Sequence, residues 1–474
     1  MSTMFQHHDE RLPEGRPVCV IGAGYVGLTA AAGLAQLGHA VVCVESNPGR
    51  LQSLREGEMP IFEPGLAELV REHQASGRLS FTGELAPVVR DTRIALLCVG
   101  TPPRPDGDPD LRQIAAAARA AAMAATGDLI LVVKSTVPPG SCEALEVLVA
   151  GENPELRIQV ASNPEFLREG RAVWDFFHPD RVVVGAGDPA VAAEVASLYP
   201  ANWPLLSCDR RSAELIKYAA NTFLAVKISF ANEVAGLCEG LGADAAQVLA
   251  GVGMDQRIGE AFFRPGPGYG GSCLPKDVSG LVAVAESLGR PARLARAAAE
   301  ANRDAMEGIV EKLSRGLGGL SGRRIGVLGV AFKAGTDDVR FSPAVALVET
   351  LTAAGATVTV HDPMASHPAL TALRASSAFG AARGADALVV MTGWPEYAEL
   401  DPATLARGMR GRMVLDAAGV LGHARLEAAG LHVYGVGKGR PLDFHPVVWR
   451  PLGWALEELP GPGASAAGQE GRAA

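Results

Sequence analysis

The sequence predicts two doubly wound α/β domains with parallel sheets, joined by an all-helical segment. Three observations predict this fold. Short apolar runs alternate with Ala- and Leu-rich helical stretches from Val18 onward, the alternation stops after about Asp209, and it resumes at Arg324. Runs that are apolar throughout are typical of parallel strands covered by helices on both faces. With 474 residues, the chain is also longer than a single hydrophobic core usually supports.

Each region has its own pattern of segments. The first region has strand-like runs at 18–21, 41–44, 94–99, 129–133 and 182–184. The middle region has helical patterns at 212–249 and 301–313, separated by a Gly-rich loop at 264–271. The last region has strand-like runs at 324–330, 357–361, 387–391, 413–416 and 433–436. We therefore predict domains at 16–208, 209–320 and 321–445, followed by a Gly- and Ala-rich tail at 446–474 that we expect to be largely disordered.

The overall charge and the termini limit the classes of function. The net charge of −9 argues against a nucleic-acid partner and against binding to anionic membranes. The N-terminus has no apolar core typical of a secretory signal, and no run approaches the length of a bilayer span. The seven cysteines show neither a disulfide framework nor the spacing of a metal site. We expect a cytoplasmic protein without a metal.

A glycine fingerprint predicts a dinucleotide site in the first domain. Gly22, Gly24 and Gly27 form a GxGxxG pattern directly after a strand and before an apolar helix. These glycines allow a tight turn, a close approach of the pyrophosphate and close packing of helix on sheet. Glu45 ends the next strand, near the offset of about 20 residues typical of an acid that binds the ribose hydroxyls. The pattern predicts a Rossmann-like domain that prefers NAD to NADP, although Arg50 weakens that preference.

One cysteine is a candidate nucleophile. Cys273 follows a glycine loop, which would let a substrate approach closely, and it precedes Lys276 and Asp277. Because nearby positive charge lowers a thiol pKa, this context favours a reactive thiolate. The alternative is a buried cysteine that merely follows a loop, and composition and spacing alone do not decide between the two.

A polar face on the long central helix is a second candidate. Glu214, Lys217 and Asn221 stand at positions i, i+3 and i+7, so they share one face of a helix. Such a face can simply be solvated. Alternatively, an ammonium and an amide directed together at developing negative charge would form an oxyanion hole.

Longer motifs carry a family resemblance that covers roughly residues 18–440. They occur in order along the chain: GAGYVG at 22–27, VGTP at 99–102, KSTVPPG at 134–140, SNPEFLREG at 162–170, DFFHPDRVVVG at 175–185, AELIKYAANTFLAVKISFANE at 213–233, RIG at 257–259, FFRPGPGYGGSCLPKD at 262–277 and AFKAGTDDVR at 331–340. On these motifs the chain resembles the UDP-glucose/GDP-mannose dehydrogenase family.

The resemblance implies a specific reaction. UDP-glucose would be oxidised at C6 to an aldehyde, which Cys273 traps as a thiohemiacetal. A second oxidation, also by NAD, would leave a thioester, and water would release UDP-glucuronate. A nucleophile that holds the intermediate explains a four-electron oxidation at one site. The resemblance also implies a C-terminal UDP-binding domain and a homodimer formed through the central helical domain.

Residue roles carry over by motif match. Lys217 and Asn221 would stabilise oxyanions at C6, while Thr136, Glu165 and Asp277 would jointly orient water and move protons. The residues matching NAD contacts are Gly22, Gly24, Val26, Gly27, Glu45, Arg50, Thr101, Thr136, Glu169, Lys276 and Arg340. Those matching substrate contacts are Glu165, Phe166, Leu167, Arg168, Glu169, Lys217, Asn221, Phe262, Phe263, Arg264, Pro265, Gly266, Gly270 and Lys333. Arg257 resembles a residue that reaches the sugar bound by the partner subunit.

Some positions depart from the family pattern, and other functions stay open. Glu45 stands where relatives often have Asp, Phe341 where many have Glu, and Ala334-Gly335 replaces a commoner Pro-Asn. The substrate could instead be GDP-mannose, UDP-N-acetylmannosamine or UDP-N-acetylglucosamine. A non-catalytic nucleotide-sugar sensor and a two-electron hydroxy-acid dehydrogenase are alternatives from other functional classes.

Overall fold

The computed structural model describes residues 17–104 and 107–437, so the tail predicted at 446–474 lies outside the described residues. Its first sheet contains eight strands within those residues. They are β1 (Val18–Ile21), β2 (Val41–Val44), β3 (Leu79–Thr82), β4 (Ile94–Leu97), β5 (Leu129–Val133), β6 (Ile158–Ser162), β7 (Val182–Gly185) and β8 (Leu205–Cys208). The helices of this region are α1 (Tyr25–Gln36), α2 (Pro48–Arg55), α3 (Leu66–Ala75), α4 (Leu85–Arg90), α5 (Arg112–Ala124), α6 (Ser141–Glu152), α7 (Ala172–Phe177) and α8 (Pro189–Ala196).

The strand order of this sheet is β3-β2-β1-β4-β5-β6-β7-β8. The chain therefore reverses direction across the sheet between β1 and β4, where open α/β sheets form a crevice at the carboxyl ends of their strands. The doubly wound prediction is confirmed, with one difference. Strands β6 and β7 pair antiparallel through Ser162 and Gly185, whereas the other neighbours in the sheet are parallel.

The middle region is helical, as predicted. Its helices are α9 (Arg210–Leu241), α10 (Ala245–Gly253), α11 (Leu274–Ser287) and α12 (Arg293–Leu317). The predicted continuous helical pattern at 212–249 breaks at Gly242, which adopts a left-handed φ of 72° and ends α9. Helix α11 packs closely on α9, because a Cβ at Gly280 would collide with the ring of the buried Tyr218.

A second sheet follows, with five parallel strands in the order β10-β9-β11-β12-β13. They are β9 (Arg324–Leu328), β10 (Thr357–His361), β11 (Ala387–Val390), β12 (Met413–Asp416) and β13 (His432–Gly435). The helices around them are α13 (Pro343–Ala353), a 3₁₀ helix (Pro368–Leu373), α14 (Ala378–Ala382), α15 (Pro395–Ala398), α16 (Pro402–Gly408) and α17 (His423–Ala428). The interior strands β11 and β12 are buried along their length, and β9 is buried after its first residue, as their apolar sequences predict.

The glycine loop before α11 packs against the second α/β region. The Gly271 N–H donates to the carbonyl of Arg340 at 3.0 Å. A Cβ at Gly270 would collide with the carbonyl of Phe341, so glycine is needed for this close approach. The loop that leads to Cys273 is therefore enclosed between α9 and the segment that follows β9.

Candidate active site

The turn after β1 has the form that a dinucleotide requires. Gly22 has a φ of 102°, and a Cβ there would lie 2.9 Å from the Cys98 carbonyl oxygen. A Cβ at Gly27 would collide with the Gly22 carbonyl, so both positions need glycine. A Cβ at Gly24 would meet no described atom within 4 Å, which leaves open space above this residue. Helix α1 begins at Tyr25, so its N-terminal amides and positive dipole end face that space.

Glu45 closes one side of the turn. It is buried at the end of β2, and its carboxylate accepts hydrogen bonds from the N–H groups of Ala23 (3.3 Å) and Asn47 (2.7 Å). The Arg50 guanidinium lies 3.3 Å from the same carboxylate. These contacts fix the acid beside the glycine turn, where ribose hydroxyls would bind, and a 2′-phosphate would meet its negative charge.

A cleft joins these groups to the second α/β region. Six of the residues predicted to contact NAD line it: Gly22, Gly24, Glu45, Arg50, Glu169 and Arg340. The remaining predicted contacts, Val26, Gly27, Thr101, Thr136 and Lys276, are not among its lining residues. The sequence did not single out Asn47, Phe62, Gln113 and Asp338, which also line the cleft. The open space above Gly24, the helix N-terminus and the acid together fit NAD.

Lys217 and Glu165 form a buried ion pair. The Lys217 ammonium donates to the Glu165 carboxylate at 2.9 Å, and both side chains are almost fully enclosed. Burial alone would lower the pKa of Lys217, but Glu165, Cys273 and Asp277 together raise it. Burial would raise the pKa of Glu165, yet Lys217 holds it below its usual value. The two shifts agree, so both groups are charged near neutral pH.

Asn221 lies one helical turn beyond Lys217 and contacts a second carboxylate. Its amide donates to Asp277 at 2.6 Å, and Asp277 also accepts a hydrogen bond from the neighbouring Lys276 ammonium. Glu214, predicted to share this polar face, has a different task. Its carboxylate accepts from the N–H groups of Gly140 (2.6 Å) and Cys142 (2.8 Å) and so caps α6. The site face of α9 therefore consists of Lys217 and Asn221.

Cys273 stands immediately before α11, partly buried, within electrostatic reach of Lys217. The expectation that its context lowers the pKa and favours a thiolate is wrong. Burial, followed by the charge of Glu165, raises the pKa of the Cys273 thiol to about 11, and Lys217 only partly opposes them. Lys276, the expected source of positive charge, is instead paired with Asp277. At neutral pH the thiol is protonated and needs a base.

The loop that carries Glu165 is held in place by Glu63, a residue that lies outside the family motifs. The buried Glu63 accepts hydrogen bonds from the N–H groups of Gly170 and Ala172, both at 2.7 Å, and from the Tyr25 hydroxyl. The Leu167 N–H donates to Glu165 at 2.6 Å. An acidic residue in the apolar sequence IFEPG was the only signal for Glu63, and nothing in its spacing indicates these partners.

Two other side chains of the same loop make close contacts with charged residues. The Phe166 ring lies under the Arg181 guanidinium, 3.8 Å from its central carbon, and 5.4 Å from the Lys217 nitrogen. Arg168 forms a two-pronged ion pair with Asp175, at 2.8 and 2.5 Å. These contacts hold Phe166 and Arg168 in place between Glu165, which belongs to the ion pair, and Glu169, which lines the cleft.

The second predicted substrate loop lies between α9 and the second sheet. Phe263 is buried and stacks on Phe230 with ring centroids 6.0 Å apart. The Gly266 N–H donates to Asn232 at 2.8 Å. Lys333 lies close enough for its charge to interact with Glu169 and Cys273, and burial lowers its pKa. Phe262, Arg264, Pro265 and Gly270 belong to the same loop.

Arg257 is not brought to the site of its own chain. Its side chain is 88% exposed and is paired with Asp255 at 2.6 Å. An exposed guanidinium next to the predicted helical interface is compatible with a role toward another subunit.

Comparison with known families gives consistent matches along the chain. Residues 16–202 match the NAD binding domain of the UDP-glucose/GDP-mannose dehydrogenase family, residues 211–304 match its central domain, and residues 326–423 match its UDP binding domain. The UDP-glucose 6-dehydrogenase of Rhizobium meliloti (strain 1021) is 44% identical over 411 residues, covering 84% of this chain and 94% of that protein. The UDP-glucose 6-dehydrogenase of Pseudomonas aeruginosa is 40% identical over 442 residues, covering 89% of this chain and 98% of that protein.

Solved structures show the same arrangement. A UDP-glucose dehydrogenase from the hyperthermophilic archaeon Pyrobaculum islandicum superposes with a TM-score of 0.84 at 42% identity, covering 90% of this chain and 99% of that chain. A UDP-D-ManNAc dehydrogenase from Pyrococcus horikoshii superposes with a TM-score of 0.81 at 27% identity, covering 89% and 99%. Among the described residues, no helix is long and apolar enough to cross a membrane.

Proposed function

We propose that this chain, which belongs to the UDP-glucose/GDP-mannose dehydrogenase family, oxidises UDP-glucose at C6 to UDP-glucuronate with two NAD and one water. The observation that carries the proposal is the position of Cys273. It stands at the end of the loop that packs on the second sheet, directly before α11, within electrostatic reach of the charged Lys217–Glu165 pair and of Glu169, which lines the NAD cleft. The names of the relatives at 44% and 40% identity support UDP-glucose as the substrate.

The covalent step keeps the intermediate in place. Bound NAD supplies a hydride acceptor for each of the two oxidations. The Cys273 sulfur adds to the C6 aldehyde to form a thiohemiacetal, and oxidation of that adduct leaves a thioester. Water then cleaves the thioester, which releases UDP-glucuronate and restores the thiol. Because the sulfur holds C6 from the first oxidation to the second, the aldehyde is not released.

The polar groups of α9 stabilise the negative charge that develops on O6. Lys217 and Asn221 each donate one hydrogen bond to a carboxylate and retain further N–H groups for the substrate oxygen. Their enclosure strengthens the interaction with an oxyanion. Glu165 keeps the Lys217 ammonium charged in this buried setting.

Hydrolysis of the thioester needs an ordered water and a base. We assign this task jointly to Thr136, Glu165 and Asp277. Glu165 and Asp277 are buried carboxylates on the two sides of the polar face. Thr136 follows β5, and its carbonyl is fixed by the Thr101 hydroxyl at 2.9 Å. A carboxylate beside a hydroxyl is suitable chemistry for activating water.

The ligands would be held from both α/β regions. The fingerprint glycines, Glu45, Arg50 and Arg340 would hold NAD, and the remaining motif-matched residues Val26, Thr101, Thr136, Glu169 and Lys276 stay proposed contacts. Lys333 would neutralise the UDP diphosphate, while the backbone of 165–169 and the loop 262–270 would enclose the sugar. The domain boundaries at 16–208, 209–320 and 321–445, and a cytoplasmic location, likewise stay predictions.

We further propose a homodimer through the central helices. Phe223, Phe230 and Leu237 recur every seven residues on α9, and each is about half exposed or more. A stripe of this kind is expected to be covered by another apolar surface. Phe230 also stacks on Phe263 of the substrate loop, so the stripe is continuous with the site. In a dimer, Arg257 would reach the partner's sugar.

Turnover with four nucleotide sugars tests the proposed substrate. We expect NADH formation with UDP-glucose at two NADH per UDP-glucuronate, and much lower rates with GDP-mannose, UDP-N-acetylmannosamine and UDP-N-acetylglucosamine. No NADH from UDP-glucose would refute the assignment, and one NADH per substrate would favour a two-electron dehydrogenase. Cys273→Ser should lose net oxidation and retain nucleotide-sugar binding. Unchanged turnover in that variant would contradict the covalent role.

A further inference from the structure

One hydrogen-bonded path leads from the protonated Cys273 thiol to a buried carboxyl. The Ser272 hydroxyl oxygen lies 3.6 Å from the Cys273 sulfur, and the hydroxyl donates to Glu169 at 3.0 Å. An ionised carboxylate can only accept hydrogen bonds, so the Ser272 proton points to Glu169. The lone pairs of the Ser272 oxygen can then accept the thiol proton. A proton can therefore pass along these three groups from the sulfur to the carboxylate.

Glu169 is placed to hold a proton. Its side chain is only 9% exposed, and among the described residues its Oε2 is buried without a hydrogen-bond partner. Burial, followed by the charge of Asp338, raises the pKa of Glu169 to about 7, while Arg340, 3.5 Å away, opposes the rise. The Lys333 ammonium and the Cys273 thiol also interact electrostatically with Glu169. A carboxyl that titrates near neutral pH can both take up and return a proton there.

The neighbouring carboxylates are less suited to this task. Glu165 is committed to the Lys217 ammonium, which holds its pKa below the usual value despite burial. Asp277 is engaged by both Asn221 and Lys276. Ser272, by contrast, is the hydroxyl adjacent to the nucleophile, and its hydrogen bond leads away from these pairs to the wall of the NAD cleft.

We propose that Ser272 and Glu169 form a proton relay that takes the Cys273 proton as the sulfur attacks the C6 aldehyde. This inference rests on the proposed function. The S–C6 bond forms, the π pair of the carbonyl moves to O6, the thiol proton passes to the Ser272 oxygen, and the Ser272 proton passes to Glu169. Ser272 ends as it began, and the negative charge leaves Glu169 for O6, beside Lys217. The relay therefore makes a thiol with a raised pKa usable at neutral pH.

The matched variants Ser272→Ala and Ser272→Thr test the relay, because only the threonine keeps a hydroxyl. The probe is the C6 aldehyde of UDP-glucose, whose conversion to UDP-glucuronate begins with the attack by Cys273. The rate of NADH formation is measured from pH 5.5 to 10 at saturating NAD. We expect the wild-type rate to fall below about pH 7, where Glu169 is protonated, and to be level above it.

Ser272→Ala should lower the rate at pH 7.5 by about 100-fold and replace the plateau with a rate that climbs with pH. Ser272→Thr should restore most of the rate and the plateau. Glu169→Gln, whose amide cannot accept the proton, should also lose the inflection near pH 7, and this second variant covers the case in which Ser272→Ala does not fold.

If Ser272→Ala or Glu169→Gln showed the same dependence of rate on pH as the wild type, the proposed relay would be overturned. A uniform loss of rate with the inflection preserved would overturn it too, because that is the signature of a merely structural role. Failure of the wild-type protein to oxidise the aldehyde at any pH would instead refute the proposed function, so the two failures are distinguishable.

Discussion

The two sheets of this molecule share a local device and use it differently. In each, an acid at the end of the second strand bonds to backbone N–H groups after the first strand. Glu45 bonds to Ala23 N–H in this way, and Asp362 bonds to Val330 N–H (2.7 Å) and Ala331 N–H (3.0 Å). Glu45 lines the cleft, whereas Asp362 also accepts hydrogen bonds from Met364, Ala365 and Trp394 and is fully buried.

The difference lies in the segment that leaves the first strand. After β1 the helix α1 begins within four residues, so its N-terminus meets the cleft beside Glu45. After β9 the next helix, α13, begins only at Pro343, and the intervening loop packs against the cysteine loop. The same strand connection therefore forms a dinucleotide site in the first region, whereas in the second region it supports the loop that leads to Cys273. In this molecule, the acid after the second strand lies at a ribose site only where a helix also begins directly after the first strand.

The largest expected effect comes from the segment between the two sheets. Because Cys273 lies in this segment and would carry the covalent intermediate, Cys273→Ala should abolish UDP-glucuronate formation, lowering kcat by at least about 1,000-fold, while NAD and UDP-glucose still bind. Product analysis and equilibrium binding measure the two parts. Cys208→Ala, at the other partly buried cysteine, is the control and should turn over normally. Loss of NAD binding in Cys273→Ala would contradict this separation of binding from chemistry.

The next effect concerns the ion pair on α9. Lys217→Met should lower kcat by about 100- to 1,000-fold, because it removes a donor to O6 and leaves Glu165 buried without its cation. Steady-state kinetics at saturating ligands measure the loss. Arg211→Met, an exposed cation on the same helix, is the matched control and should change kcat little. An equal loss in both variants would point to damage of the helix and not to oxyanion stabilisation.

The comparison of the two acids predicts opposite phenotypes, beginning with Glu45. Glu45→Gln should raise the KM for NAD by about 10-fold, since the ribose hydroxyls lose an ionised acceptor, and should lower the free energy of unfolding less than a change at Asp362 does, because fewer N–H groups depend on Glu45. Initial rates over a range of NAD concentrations measure the shift. An unchanged KM with a lower melting temperature would mean that Glu45, like Asp362, only supports the backbone.

Asp362→Asn should do the reverse. It replaces one carboxylate oxygen with a donor that faces several N–H groups, so we expect the free energy of unfolding to fall by about 2 to 3 kcal/mol. Denaturant unfolding measures the fall, and the KM for NAD should stay at the wild-type value. A raised KM for NAD without any loss of stability would remove the distinction between the two regions.

The smallest expected effect lies in the loop after β9. Phe341 has a φ of 50°, in the left-handed region that side chains rarely adopt, and it is 56% exposed. Because Asn tolerates this region better, Phe341→Asn should raise the free energy of unfolding by about 0.5 to 1 kcal/mol. Denaturant unfolding would detect the change. A fall in stability would show that the phenylalanine ring makes contacts that outweigh the backbone strain.

Local patterns predicted much of this molecule. The glycine turn and Glu45 follow from a short, contiguous motif, and the shared face of Lys217 and Asn221 follows from helical spacing. The alternation of strands and helices likewise predicted both sheets. The antiparallel pairing of β6 with β7 was not predicted, because the direction of a buried strand leaves no mark on its composition.

Contacts between distant segments could not be read from spacing. Glu165 and Asp277 lie 52 and 56 residues from their partners on α9, and only the fold brings them together. The same limit explains the incorrect expectation for the Cys273 thiol. Lys276 is near in sequence, but its charge is directed at Asp277, and burial then dominates the thiol pKa. Glu63 was missed for the same reason, since the two backbone N–H groups that it binds lie more than 100 residues away.

The central claim is the thioester on Cys273, and trapping it is the most direct test. Enzyme mixed with UDP-glucose and NAD would be quenched in acid within one turnover, digested and analysed by mass spectrometry. The account predicts a hydroxylamine-sensitive UDP-glucuronyl adduct on the Cys273 peptide that decays as UDP-glucuronate appears. Turnover at two NADH per product without any adduct on Cys273, together with full activity of Cys273→Ala, would contradict it.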